Sequence, residues 1–381
     1  MNTEKLFFDL IRVSMGQQVC LSHTPSADEW GELYAMAKKQ SLVGVCFAGV
    51  QRLVGQQQEP PEMLYLTWMG MAAKIQQRNE AVNRLCVDLQ KRLSADGLRS
   101  CILKGQGNAS LYVVKKGSNG KEGIESNLSA LRQSGDIDIW IEGGRKKVVD
   151  YVQQIAHTDD IRDNHATLNI FNDTEVEAHF RPATLRNPIR NKKLQKFFEL
   201  TSDDCFAHEV VLAGGKINVP TTEFNLVYQL VHIFEHFYTE GVGMRQVMDY
   251  YFVLHSAKGS RGFRVQEVQR VISNLGLDRF ASALMWVIKT VFVGHANDDD
   301  NFFPWKPNEE DGHMLMNGIL LSGNFGKQDE RQKNMYDSRW NSFWMVHFKT
   351  LRFWRFDHWA WFWSPLWRLF GFVVRKVNGY Q

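Results

Sequence analysis

The run Gly135-Asp-Ile-Asp-Ile-Trp-Ile141 constrains this chain more than any other stretch. Side chains alternate faces along a strand, so Asp136 and Asp138 project to one side while Ile137, Ile139 and Ile141 fill the other. β-branched residues at every second position predict a central strand, buried on its back face, with the aspartates on the exposed side. Two carboxylates a few ångströms apart repel each other. A divalent cation resolves that conflict, and oxygen-only ligation favours magnesium or manganese. A solvated strand can carry the same two aspartates; the apolar back face argues for the metal.

A third carboxylate stands in Glu175-Val-Glu-Ala-His-Phe-Arg181, where Glu175, Glu177, His179 and Arg181 share one face. A strand beside the first places Glu177 opposite the aspartate pair; the same alternation also describes an amphipathic edge strand with a wet face. Ser100-Cys-Ile-Leu103 is a short apolar run, and Lys104-Gly-Gln-Gly-Asn-Ala-Ser110 is a glycine-bearing turn into a short helix. Gly143 to Ala156 reads as a helix and Ala166 to Phe171 as a strand, and Asn172-Asp173 is a hairpin signal. Residues 115–130 are polar and glycine-rich, the composition of a mobile loop. Together these form a small α/β unit over about 97–220.

The flanks have helical periodicity. Thr24-Pro-Ser-Ala-Asp-Glu is a start signal before Trp30 and Leu33, and Pro60-Pro61 opens a long segment that ends at Ser94-Ala-Asp-Gly97. Four regions result: N-terminal helices at 1–96, the core at 97–220, helices packing on the core at 221–295, and 296–381. The last region holds a polar linker, Asn297-Asp-Asp-Asp-Asn301, and seven of the twelve tryptophans between Trp340 and Trp367. The expected class is α+β, a small mixed sheet between helical regions. The 44% hydrophobic and 23% charged content is that of a globular protein, and a net charge of +3 gives no general case for long nucleic acid. Five scattered cysteines without a C-x-x-C pair predict reduced thiols. With no signal-peptide pattern at Met1-Asn-Thr-Glu and no long apolar run, the expected compartment is the cytoplasm.

The ordered set Leu103-Lys-Gly105, Arg132-Gln-Ser-Gly-Asp-Ile-Asp-Ile139 and Val176-Glu-Ala-His179 resembles the DNA-polymerase-beta-like nucleotidyltransferase superfamily. Within it, the chain looks like an uncharacterised bacterial family that pairs a K-G turn with R-x-x-G-D-I-D. The resemblance takes in the helical start and His232 to Asp249, most of residues 25–255. It implies a magnesium-dependent (or manganese-dependent) transferase moving a nucleoside monophosphate from a nucleoside triphosphate, such as ATP, to a hydroxyl of a small molecule or protein. By the same resemblance Asp136, Asp138 and Glu177 hold the metals, and Lys104, Gly105, Gln106 and Arg132 meet the phosphates. One departure is plain: the superfamily has Gly-Ser at the phosphate turn, where this chain has Gly105-Gln106. That leaves a second reading, an inactive nucleotide-binding or regulatory module of the same fold. Retention of all three carboxylates argues against it.

Other signals compete. His232-Ile-Phe-Glu-His236 matches H-x-x-E-H, which suggests a zinc hydrolase using His232, Glu235 and His236, though no downstream glutamate completes the ligand set. The resemblance instead gives His179, His232 and His236 hydrogen-bonding or pocket-lining duty. Arg245 and Asp249 stand four apart on a helix, as an intrahelical ion pair or at the mouth of the cleft. The tail mixes Trp354, Trp359 and Phe362 with Arg352, Arg355 and Arg368, which suits self-packing, a partner subunit or a membrane surface.

Overall fold

The computed structural model describes residues 2–114, 126–260, 262–293, 303–323 and, in the tail, 351, 353–359, 362–363, 365–366 and 369. Four helices come first: α1 (Asn2–Ser14), α2 (Ala27–Lys39), α3 (Val43–Leu53) and α4 (Glu62–Ala95). The start signal of α2 works as a capping box: the Ser26 hydroxyl accepts from the Glu29 amide, and the Glu29 carboxylate accepts from the Ser26 amide. Next come β1 (Ser100–Ile102), α5 (Gln106–Ala109), β2 (Val113–Val114), β3 (Ser126–Asn127), β4 (Ile137–Ile141), α6 (Gly144–Ile155), β5 (His165–Thr167) and β6 (Val176–His179). Helices α7 (Pro188–Leu200) and α8 (Ser202–Ala207) and the hairpin β7 (Glu209–Leu212) and β8 (Gly215–Asn218) follow. Five helices complete the described chain: α9 (Thr222–Tyr238), α10 (Met244–Gly259), α11 (Val265–Leu275), α12 (Asp278–Ile288) and α13 (Glu309–Ser322).

The main sheet has the order β1-β4-β6-β5. β4 and β6 are parallel, while β1 and β5 pair antiparallel at the edges. This mixed sheet between helical regions is the expected α+β class. Asn172-Asp173 does lie in the connection between antiparallel strands, but β5 stops at Thr167 rather than Phe171. Its chain turns early, the Ile170 amide bonding the Leu168 carbonyl.

Two apolar cores sit on opposite sides of the sheet. One lies under Ile102, Ile137, Ile139, Ile141, Val176 and Ala178. The other is the larger and joins the first helices to the last: it holds Leu6, Trp30, Phe224, Phe280 and Ile319. α4 serves both, with Trp68 and Ala72 in the helical core and Val82, Cys86 and Leu93 under the sheet. At the seam of the two chain halves, Arg12 donates to the carbonyls of Thr290 and Val291 at 3.0 and 3.2 Å.

Of the described tail, Phe353 is buried against Phe237 at 4.4 Å while Trp359 and Phe362 are exposed. The linker 297–301, residues 115–125 of the glycine-rich stretch, and Trp340, Trp344, Trp361 and Trp367 lie outside the described residues. Among the described residues, no helix is long and apolar enough to cross a membrane. All five thiols are free and four are buried.

Candidate functional site

The alternation along β4 and β6 divides the sheet by chemistry. The three isoleucines of β4 enter the core beneath it, each contributing about 1.5–3 kcal/mol by leaving water. Asp138, Trp140, Glu177 and His179 take the other face. The parallel register sets Asp138 beside Glu177 and Trp140 beside His179, and β5 adds His165 beside His179. Asp136 stands one residue before β4. Carboxylate oxygens of Asp136, Asp138 and Glu177 all lie within 4.8 Å of one another.

The aspartates are not the exposed pair that the alternation suggests. Asp138 is 1% exposed. Lys104 and His179 lie against its carboxylate, and Trp140 on the same face packs on Phe206 and Phe224 with ring centres 4.6 and 5.5 Å away, so this side of the strand is covered too.

Protein cations meet part of this charge. Lys104 Nζ lies 2.9 Å from Asp138 Oδ1. His179 Nε2 is 3.1 Å from the same oxygen and 3.2 Å from Glu177 Oε2. Burial opposes the charge on Lys104, but Asp138 and Asp136 outweigh it and hold the ammonium above its ordinary pKa. Burial likewise opposes His179, yet its bonds to Asp138 and Glu177 push it up to about 9. Glu177 would be raised by burial; His179 and Lys104 instead bring it down to about 2. Burial and the charge of His179 press His165 down to about 4, which leaves it a neutral imidazole 3.6 Å from Glu177.

Two carboxylate features remain unmet. Asp138 Oδ2 is buried with no hydrogen-bond partner. Asp136 has neither a hydrogen bond nor an ion pair among the described residues. A buried, unpartnered carboxylate oxygen is costly. An all-oxygen set of three carboxylates with one orphaned oxygen fits a hard divalent cation such as magnesium.

The phosphate turn splits in two. Gly105 has φ +63, a left-handed value that a side chain resists, and it lines a cleft beside Asp136 and Asp138. Gln106 turns away. It is 3% exposed and bonds the Asn83 side chain and the Asn79 carbonyl on α4, outside the cleft lining.

Arg132 is held by Asp249. Its Nε and Nη2 each lie 2.7 Å from that carboxylate, which also accepts from the Tyr112 hydroxyl at 2.5 Å. Among the described residues Arg245 therefore makes no ion pair with Asp249, the first of the two placements the sequence allows; both line the cleft, as in the second, and Arg245 donates to the Gln133 carbonyl at 2.9 Å. Asn79 of α4 donates to the carbonyls of Ala130 and Arg132, so the segment leading into Asp136 is pinned from both sides. His232 lines the cleft, its neutral Nε2 3.4 Å from Lys104 Nζ, because burial and Lys104 hold its pKa well down. His236 meets His232 edge-on, with ring centres 4.2 Å apart, and pairs with Glu240. Glu235 pairs with Arg186 at 3.2 Å. No third ligand joins His232 and His236 among the described residues, so the zinc-hydrolase set does not assemble.

Sequence reasoning missed His165, Tyr112 and Asn79. The one available signal was the alternation His165-Ala-Thr167, which puts His165 on the face of the carboxylates. A family model described as an uncharacterised nucleotidyltransferase matches residues 26–122 and 125–293. No curated protein and no solved structure matches the chain.

Proposed function

The chain belongs to this uncharacterised nucleotidyltransferase family, and on that premise we propose that it moves a nucleoside monophosphate from a nucleoside triphosphate to a hydroxyl acceptor, with magnesium. The observation that carries the metal reading is the buried, unpartnered Oδ2 of Asp138 in a residue whose carboxylate lies within 4.8 Å of those of Asp136 and Glu177. Asp136, Asp138 and Glu177 would hold the cation, which when bound activates the attacking hydroxyl and stabilises charge on the leaving oxygen. The acceptor hydroxyl gives its proton to water as its oxygen bonds the α-phosphorus, the bond to the bridging oxygen breaks, and pyrophosphate leaves.

The chain's own residues prepare that arrangement. Lys104 and His179 brace Asp138, and the two cations hold the Glu177 carboxyl well below its ordinary range. The Arg132–Asp249 pair ties the approach to Asp136 to α10, so the first aspartate is positioned by a buried ion pair rather than by a loop. Gly105 leaves room at the cleft wall for a phosphate to approach backbone. We place the acceptor among small molecules or proteins, because a net charge of +3 gives no general case for long nucleic acid.

The test is label transfer from α-labelled triphosphates with magnesium. Asp136→Asn and Asp138→Asn should each lower it by roughly three orders of magnitude. Undiminished transfer in either variant sinks the proposal. An inactive module of the same fold predicts instead that the wild-type chain binds triphosphate and transfers no label.

A further inference from the structure

Three arginine or lysine side chains line the cleft: Lys104, Arg132 and Arg245. Lys104 is bound to Asp138 and Arg132 to Asp249, so both are neutralised within the protein. Arg245 is different. It is 7% exposed, and one hydrogen bond, to the Gln133 carbonyl, is all it makes among the described residues. Its Nε is buried with no acceptor. The carboxylate one turn further along α10 is Asp249, and Arg132 and Tyr112 consume it.

Asp249 and Asp136 attract the Arg245 guanidinium only from beyond ion-pair distance, and a buried guanidinium without a close anion is unfavourable unless something else supplies one. The empty side of Arg245 faces the cleft beside Gly135, whose missing side chain leaves the fork uncovered; a β-carbon there would stand 3.8 Å from Nη1. Across that gap is Asp136. A planar fork of donors suits phosphate oxygens, which it can bind two at a time. The turn residue that would otherwise reach a phosphate, Gln106, is held against α4.

Resting on the nucleotidyltransferase reading, we propose that Arg245 is the seat of the outer phosphates of the triphosphate donor, and of the pyrophosphate after transfer. It takes over on α10 the contact that the phosphate turn does not make. The nucleotide then lies between two elements, its reacting phosphate at β4 and its leaving phosphates at α10. This also explains why Asp249 is reserved for Arg132: an ion pair with Arg245 would cancel the charge that the phosphates need.

The probe is inorganic tripolyphosphate, titrated calorimetrically into the full chain with magnesium and compared with orthophosphate. Arg245→Met should weaken tripolyphosphate about tenfold or more, and Arg245→Lys, which keeps charge but loses the fork, by a smaller factor. Near-ultraviolet circular dichroism checks that each variant is folded; should Arg245→Met fail to fold, Arg245→Lys alone decides. A folded variant with wild-type tripolyphosphate affinity overturns the proposal, as does orthophosphate binding as tightly as tripolyphosphate. Label transfer separates this from the underlying reading. Arg245-dependent tripolyphosphate binding without transfer keeps the anion seat and removes the transferase; transfer that proceeds with Arg245-independent affinity does the reverse.

Discussion

The two faces of the β1-β4-β6-β5 sheet share one backbone and meet opposite demands. Beneath it, Ile137, Ile139 and Ile141 lie against Val148, Val152 and Val176, where every contact is apolar and interchangeable in kind. Above it, Asp138, Glu177, His165 and His179 are also buried or half-buried, yet none is interchangeable. The lower face gains free energy from each group it removes from water. The charged groups of the upper face lose it, and recover part through Lys104, His179 and the Arg132–Asp249 pair. Equal burial therefore does not mean equal contribution: the isoleucines below and Trp140 above stabilise the fold, while the charges beside Trp140 are held in place at its expense.

Three experiments break or sharpen that contrast. The largest effect on stability should come from Arg132→Met, which leaves Asp249 buried without its ion pair. Urea denaturation should register a loss of about 3–5 kcal/mol; a loss below about 1 kcal/mol means that the pair is not what anchors the approach to Asp136. Next, Ile139→Ala on the lower face should cost about 3 kcal/mol by leaving a cavity. Its thermal midpoint should still rise when magnesium is added, whereas that of Asp138→Asn should not respond. Loss of the magnesium response in Ile139→Ala would show that the two faces are energetically one. The smallest effect belongs to the rim. Arg99 and Glu142 pair across the end of β1 and β4 but are 50% and 40% exposed, so Glu142→Gln should change stability by no more than about 1 kcal/mol.

Much of this division is legible in the chain itself, because it is written at period two. Asp-Ile-Asp-Ile-Trp-Ile and Val-Glu-Ala-His each state which residues share a face, and Glu177 could be set opposite the aspartates before any register was known. What could not be read is what closes each face. Trp140, on the face of Asp138, is covered by Phe206 and Phe224, which lie 66 and 84 residues further along the chain. Arg132 finds Asp249 across a separation of 117 residues, and no local pattern announces such a pair; the nearer Arg245 was the natural guess. Within the core region, α7, α8 and the β7–β8 hairpin were also left unassigned. Asn187 before Pro188 was a usable start signal for α7, its side chain accepting from the amides of Ile189 and Arg190. The phosphate turn shows the same limit: its glycine was legible as a turn, but only packing against α4 reveals that Gln106 faces the wrong way for a phosphate.

The seam at Arg12 has a consequence for how the protein is born. α1 lies against the π-helical turn Lys289–Val293, and Arg12 is bonded to carbonyls made almost three hundred residues later. A ribosome adding about 5–20 residues per second delivers that partner tens of seconds after α1 has emerged. The sheet, complete once β6 is out, can pair its strands within that interval. α1 already meets α2 and α3, which follow it closely in the chain, so what waits for the late-made turn is the Arg12 seam and not the whole helix.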